Sequence, residues 1–345
     1  MASSTKIERA VVLGDGSWGT SLALLLQENG VQTTLWSAFP EQAQEMVEKR
    51  ENARFLPGVP LPEGLAISAD PFAAAEGAQL AVSVVPTQFL RDVAARFEDA
   101  LKGDVPIVSA TKGLEIETFR TPSRILAEVL GRRPLGVLSG PSHAEEVARG
   151  LPASVVAASE DTDLARRVQE AFTGETFRVY TGDDPLGAEL GGALKNVIAI
   201  AAGISDGLGL GDNAKSALLT RGMVEMARFG QRLGAQPKTF FGLAGFGDLV
   251  TTCCSQHSSN RRVGEMIGKG RRLREVLDEM NMVAEGVWTT KALFGPEAEG
   301  SGVAMPIAEQ VHAVLFEDKD PQQAVTDLMS REPTGEMDGL VRELA

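Results

Sequence analysis

The apolar run Arg9-Ala10-Val11-Val12-Leu13 ends at once in Gly14-Asp15-Gly16-Ser17-Trp18-Gly19, and this junction restricts the fold more than any other feature of the chain. A strand that breaks into G-x-G-x-x-G and reopens as a helix is the setting in which that spacing cradles a dinucleotide. Gly14 permits the tight turn, Gly16 lets a pyrophosphate approach the backbone, and Gly19 lets the helix pack on the strand. The free N–H groups at the helix start then face phosphate oxygens. A glycine-rich turn without a ligand is the plainer reading of the same six residues. The helix that follows is predicted over Thr20–Asn29 and stopped by Gly30.

A second strand is predicted at 32–36, and apolar runs recur at 80–85, 106–109, 135–138 and 153–157, with helical stretches between most of them. Short strands alternating with helices imply right-handed crossovers and a mainly parallel sheet. Beyond Thr181 the texture changes, and Asp184-Pro185 reads as a helix start with Pro at the first helical position. Helices are predicted near 185–204, 213–233, 260–268, 285–294, 305–317 and 321–330. The expected architecture is an α/β domain over 1–184, Rossmann-like and NAD(P)-binding, followed by an all-α substrate-binding domain over 185–345. A length of 345 residues suits two cores better than one.

Acidic residues outnumber basic ones, 47 to 33, for a formal charge of −14. General affinity for nucleic acid or an anionic membrane is not expected, since both need net positive surface. Small anionic substrates remain open to a local basic pocket. The two cysteines, Cys253 and Cys254, are adjacent and cannot staple a loop, which points to a reducing, cytoplasmic compartment. Neither cysteines nor the three histidines show metal-ligand spacing, so no metal is expected.

The helix expected after Pro185 has two faces. Leu186, Leu190, Leu194, Val197, Ala201 and Ile204 form one apolar stripe, while Ala188, Gly191, Gly192, Lys195, Ala199 and Ala202 form a second. Every member of the second face but Lys195 is small. A helical side chain leans towards its own N-terminus, so Lys195 reaches over the two glycines. Adjacent glycines cost about 1 kcal/mol each against alanine, and close approach of a helix or ligand would justify that cost. A buried lysine is uncommon; it is either a catalytic acid or base or one half of a structural ion pair.

Together these residues resemble a known family. The glycine loop, Asn52-Ala53-Arg54-Phe55-Leu56-Pro57-Gly58, Ala110 to Glu115, Ser139-Gly140-Pro141-Ser142, Leu194-Lys195-Asn196, Gly242 to Leu249, Asn260 to Gly264 and Glu285-Gly286 follow in the order found in bacterial-type NAD(P)-dependent glycerol-3-phosphate dehydrogenases. The resemblance spans nearly the whole chain. It implies a dinucleotide domain joined to a helical domain of the 6-phosphogluconate-dehydrogenase-like type. The implied reaction is reversible hydride transfer between dihydroxyacetone phosphate and sn-glycerol 3-phosphate, which in bacteria feeds phospholipid synthesis. A homodimer without stable membrane insertion is also implied.

Residue by residue, the resemblance assigns cofactor contacts to Gly14, Gly16, Ser17, Trp18, Gly19, Phe55, Lys112, Ala144, Ser259, Val283 and Glu285. It assigns substrate contacts to Lys112, Gly140, Ser142, Lys195, Asn196, Asp248, Thr252, Ser258, Ser259 and Asn260, with Lys195 as proton donor and acceptor and Lys112 and Asp248 beside it. The chemistry agrees, because reducing a ketone builds negative charge on oxygen and a positioned acid must meet it. Ser142 with Glu145 also reads as a capping box.

Two positions depart from the pattern. Where Ser259 stands, the family commonly has an arginine for the substrate phosphate, and a serine hydroxyl does not replace a guanidinium; either Arg261, Arg262 or Lys112 takes part of that load, or substrate binding is weaker. At the end of the second strand, an acid would favour NAD and an arginine NADP, but Trp36-Ser37-Ala38-Phe39 contains neither and leaves NAD or NADP open. Other two-domain dehydrogenases, such as β-hydroxyacid dehydrogenases and ketopantoate reductases, and a non-catalytic dinucleotide sensor are the alternatives. The Gly242–Leu249 and Ser258–Gly264 segments argue against the first.

Overall fold

The computed structural model describes residues 6–280, 283–298, 302–336 and 340. Val11 and Val12 are both fully buried although they point to opposite faces, which identifies a parallel strand covered by helices on each side. That strand, β1 (Arg9–Leu13), leads into α1 (Ser17–Glu28), β2 (Gln32–Trp36), α2 (Pro40–Lys49), β3 (Ala66–Ser68), α3 (Pro71–Ala75), β4 (Leu80–Ser83), α4 (Thr87–Ala95) and β5 (Ile107–Ser109). Then follow α5 (Pro122–Leu130), β6 (Leu135–Ser139), α6 (Ala144–Val147), β7 (Ala153–Ala158), α7 (Thr162–Phe172) and β8 (Phe177–Gly182). The strands form one sheet in the order β3-β2-β1-β4-β5-β6-β7-β8. Every pair is parallel except β6 with β7. Strand order reverses between β1 and β4, the place where open α/β sheets bind ligands beyond their carboxyl ends.

β3 and β8 were not foreseen, and both are edges of the sheet. β3 has three residues, none buried, and β8 shows its alternate residues Arg178 and Tyr180 to solvent. An edge strand lacks the continuous apolar run that announces a central one. The capping box is also corrected: His143 is the cap residue of α6, and Ser142 Oγ donates to Gly140 O at 2.9 Å.

The second unit is helical throughout its described residues. Its long axis is α8 (Pro185–Gly207), surrounded by α9 (Gly211–Arg232), α10 (Pro237–Phe240), a π-helical turn (Leu243–Gly247), α11 (Asp248–Cys254), α12 (Ser259–Gly268), α13 (Leu273–Asp278), α14 (Glu285–Leu293), α15 (Pro306–Phe316) and α16 (Pro321–Met329). By length and apolar composition α8 would cross a membrane, but 94% of its apolar window is buried inside the protein as a core helix.

The chain divides into two compact units near the expected boundary: residues up to Thr111 with Pro122–Pro185, and Lys112–Thr121 with the residues from Leu186 onward. A boundary at 184/185 alone therefore misplaces Lys112–Thr121. This excursion joins the helical unit because Leu114 and Phe119 are buried in its core. Phe119 packs edge-on against Phe229 at 6.3 Å and adopts a left-handed φ of 58°.

Candidate active site

Lys195 lies in the middle of α8 and is buried. Gly191, one turn earlier, explains what comes so close. A Cβ at Gly191 would sit 2.6 Å from Ala244 O, so only glycine lets the Leu243–Gly247 turn press its backbone onto α8. That turn delivers Asp248 as the first residue of α11, where the helix dipole favours a carboxylate. Thr252 follows four residues later on the same face.

The three side chains meet. Lys195 Nζ donates to Asp248 Oδ1 at 2.7 Å and to Thr252 Oγ1 at 2.6 Å. Lys112, carried into this unit by the excursion, donates from Nζ to Asp248 Oδ2 at 2.7 Å. Each carboxylate oxygen thus holds one ammonium. Burial pushes the Lys195 pKa down to about 8, with Asp248 opposing the shift and Lys112 adding to it. For Asp248, burial acts upward but the Lys112 and Lys195 ammoniums outweigh it and hold the carboxyl below its ordinary value. Cys253 is buried and its thiol is pushed up to about 12, while its neighbour Cys254 is exposed rather than part of the core.

Asn196 and Asn260 form a second buried group. Asn260 Nδ2 donates to Asn196 Oδ1 at 3.0 Å, Asn260 Oδ1 accepts from Gly286 N at 2.8 Å, and Asn196 Nδ2 donates to Gly192 O at 3.2 Å. Together they tie α8, α12 and α14. Ser258 caps α12 by accepting from Arg261 N at 3.2 Å. Ser259 is partly exposed, with Oγ 3.5 Å from Val283 O, and Glu285 opens α14. The arginines expected to replace the missing charge differ in fate: Arg261 Nε donates to Asp206 at 2.7 Å, while Arg262 is exposed.

In the first unit the glycine loop has the shape a dinucleotide needs. Gly14 adopts φ +110°, and a Cβ at Gly19 would lie 1.9 Å from Gly14 O. A Cβ at Gly16 would meet nothing within 4 Å, which leaves open space where a pyrophosphate would lie. Asn52, fully buried, donates to Asp15 O at 2.7 Å and to Thr20 Oγ1 at 2.9 Å, and accepts from Phe55 N at 3.2 Å. The Asn52–Gly58 motif is thereby fastened to the loop. Ser21 Oγ donates to Ala144 O at 3.0 Å, tying α6 to α1, and Trp18 packs on Phe177.

The candidate residues thus fall into both units. Gly14, Gly16, Ser17, Trp18, Gly19, Phe55, Gly140, Ser142 and Ala144 belong to the sheet unit, and Lys112, Lys195, Asn196, Asp248, Thr252, Ser258, Ser259, Asn260, Val283 and Glu285 to the helical one.

Comparison with known proteins matches that division. The profile of the NAD-dependent glycerol-3-phosphate dehydrogenase N-terminus matches residues 9–165, and that of its C-terminus residues 184–326. A glycerol-3-phosphate dehydrogenase, NAD(P)+ type, of Chlorobium phaeobacteroides (strain BS1) is 50% identical over 95% of this chain and 99% of its own. The chain belongs to the NAD-dependent glycerol-3-phosphate dehydrogenase family. Another such relative, from Geobacillus kaustophilus (strain HTA426), is 50% identical over 97% of this chain and 98% of its own. The crystal structure of glycerol-3-phosphate dehydrogenase from Coxiella burnetii superposes with a TM-score of 0.90 at 41% identity, covering 94% of this chain and 99% of that one. A ketopantoate reductase from Ralstonia eutropha JMP134 reaches only 0.55 at 17% identity and shares the fold alone.

Within this dehydrogenase fold, buried carboxyl groups that the sequence reading did not pick out include Glu189 and Glu225. Glu225 of α9 accepts from Ile307 N at 3.0 Å and Ala308 N at 2.9 Å, and burial pushes its pKa up to about 7. It satisfies orphan amides at the start of α15, a role no local motif announces. Among the described residues no group of three or more His, Cys, Asp or Glu is placed to hold a metal ion.

Proposed function

We propose that the chain interconverts dihydroxyacetone phosphate and sn-glycerol 3-phosphate, with Lys195 moving the proton at the C2 oxygen. The observation that carries this reading is the buried contact of Lys195 with Asp248 and Thr252, together with a pKa near 8. An ammonium has three donors. Two are engaged by Asp248 and Thr252, which leaves the third, among the described residues, for a substrate oxygen. NAD(P)H supplies the hydride when bound.

Lys195 gives its proton to the developing alkoxide in reduction and takes the hydroxyl proton in oxidation. A pKa near 8 makes both directions accessible close to neutrality. Asp248 orients the ammonium and stays ionised, and Lys112 is the second cation that keeps Lys195 from binding its proton too firmly. In the helical unit the start of α12, from Ser258 to Asn260, is the proposed phosphate-facing segment; in the sheet unit, taken by itself, Gly140 and Ser142 are proposed substrate contacts. The glycine loop with Phe55 and Ala144, and Lys112, Ser259, Val283 and Glu285 on the helical side, are the proposed cofactor contacts. The enzyme is proposed to act in the cytoplasm as a homodimer and to supply the glycerol phosphate backbone of phospholipids.

The experiment mixes purified protein with dihydroxyacetone phosphate and follows loss of NADH and NADPH absorbance, with Lys195→Ala in parallel. Turnover by the parent and its loss in the variant is the expected result. No turnover with either cofactor would sink the assignment.

A further inference from the structure

We infer that Asp15, with Glu41 and Glu45, makes this chain reject a 2′-phosphate, so that NAD(H) binds more tightly than NADP(H); the inference rests on the reading of the glycine loop as a dinucleotide cradle. Dinucleotide domains ordinarily carry the discriminating residue at the end of the second strand, an acid for the ribose hydroxyl or an arginine for its phosphate. Here β2 runs out into Ser37-Ala38-Phe39, without either.

The fold brings a carboxylate to the same place from the neighbouring strand. β1 and β2 pair in parallel with Leu13 opposite Trp36, so Asp15, inside the glycine loop, comes to lie beside Ser37. Ser37 Oγ donates to Asp15 Oδ2 at 2.8 Å, and the same hydroxyl accepts from Phe39 N at 3.2 Å. Ser37 is fully buried, so its hydroxyl is committed to this link. Asp15 thereby occupies the position of the missing acid, anchored rather than mobile.

Phe39 then forms one wall of an open recess of about 520 Å³, completed by Glu41, Gln42, Glu45, Ala53 and Arg54. Gln42 Nε2 donates to Asn52 Oδ1 at 3.1 Å, and Asn52 donates to Asp15 O, so floor and wall are one hydrogen-bonded unit. Glu41 and Glu45 thus line the recess, and buried Asp15 is linked to its wall and floor through Ser37 and Asn52. The cations nearby are already engaged. Arg54 lies over the Phe55 ring at 4.9 Å, and burial raises the Asp15 pKa above its ordinary value, with the Ser37 hydrogen bond and Arg54 opposing the shift. Arg96 lies over the Trp36 ring at 4.7 Å with Nη1 3.5 Å from Ala38 O, and Lys49 pairs with Glu45 at 2.5 Å. A ribose hydroxyl adds no charge here and can donate to an acid. A 2′-phosphate adds about two negative charges at pH 7, as phosphate monoesters do, and must either face these carboxylates or pull an arginine from its ring.

The test is calorimetric titration with ADP-ribose and 2′-phospho-ADP-ribose, alongside Kd values for NADH and NADPH, on the parent, Asp15→Asn and Glu41→Gln. Asn keeps an acceptor for Ser37 and removes only the charge. The phosphorylated ligands are expected to bind at least tenfold more weakly to the parent. Asp15→Asn should narrow that ratio three- to tenfold, acting on the phosphorylated ligands while NADH changes less than twofold. Glu41→Gln, on the exposed first turn of α2, should narrow it about twofold and carries the test should Asp15→Asn fail to fold. Equal or tighter binding of the phosphorylated ligands by the parent overturns the inference, and so does a ratio that neither substitution moves. Binding of none of the four ligands overturns both the inference and the cofactor reading beneath it.

Discussion

Helix α8 carries two ion clusters about 16 Å apart along its axis, each with an aspartate between two cations: two lysines at the first, and a lysine and an arginine at the second, where Arg261 also lies 3.7 Å from Glu265. At Lys195, Asp248 holds Lys195 and Lys112, both at 2.7 Å. At Asp206, the carboxylate holds Lys215 at 2.8 Å and Arg261 at 2.7 Å. Distances do not separate them, but burial does: the Asp248 side chain is 2% exposed and the Asp206 side chain 22%. Water screens the second cluster, which fastens α8 to α9 and α12. Around the first, lost hydration works against every charge, and a lysine that would ordinarily stay protonated to pH 10.5 is brought to about 8. Charge count alone does not bring a lysine pKa towards neutrality; taking the charges out of water does.

Matched substitutions in the two clusters are the most direct way to break this comparison. Lys195→Met is expected to lower kcat about a thousandfold, in the range for loss of a positioned general acid, while Lys215→Met should leave kcat within threefold. Comparable losses in both would mean that the lysines act through folding, which thermal melts of the pair would reveal. The next contrast is between the carboxylates. Asp248→Asn leaves two ammoniums buried side by side and is expected to reduce kcat about a hundredfold. Asp206→Asn breaks partly exposed pairs worth about 1 kcal/mol or less, and its activity should stay within twofold.

The pH profile sharpens the same contrast. With Lys195 as the proposed proton donor, reduction needs it protonated, so kcat/KM for dihydroxyacetone phosphate should fall as pH rises through about 8, and the oxidative direction should rise through the same point. In Asp248→Asn the counter-charge is gone and the break should move to lower pH, whereas Asp206→Asn should not shift it. A break that stays near 8 in Asp248→Asn would assign it to another group. The smallest effect concerns the phosphate. Ser259→Arg is expected to lower KM for the phosphorylated substrate about tenfold, as one charge-assisted contact does, with kcat unchanged. An unchanged KM would mean that the phosphate charge is met elsewhere.

Much of this arrangement was legible from residue order. The glycine loop, the change from α/β to helical texture near Pro185, and the small-residue face around Lys195 all rest on local spacing. Most interior strands were found because they are nearly continuously apolar, with the β-branched pair Thr33-Thr34 before Leu35-Trp36 marking β2; the edge strands β3 and β8 were not, because solvent on one side dilutes that signal. Lys112, Asp248 and Thr252 were picked out as separate motifs, yet nothing local joins residue 112 to residue 248. Arg261 shows the same limit: it is adjacent in sequence to the proposed phosphate-facing segment, and only the fold shows that its guanidinium pairs with Asp206.

Sequence by itself therefore determined which chemical groups the chain has and which local elements carry them, since helix periodicity, strand runs and glycine turns are properties of neighbouring residues. Tertiary structure alone decided which of two similar ion clusters is dry, and that an acid from the loop after β1 stands at the end of β2. Both depend on distances between residues far apart in the chain, and on how much water remains between them, and those quantities exist only once the backbone has closed on itself.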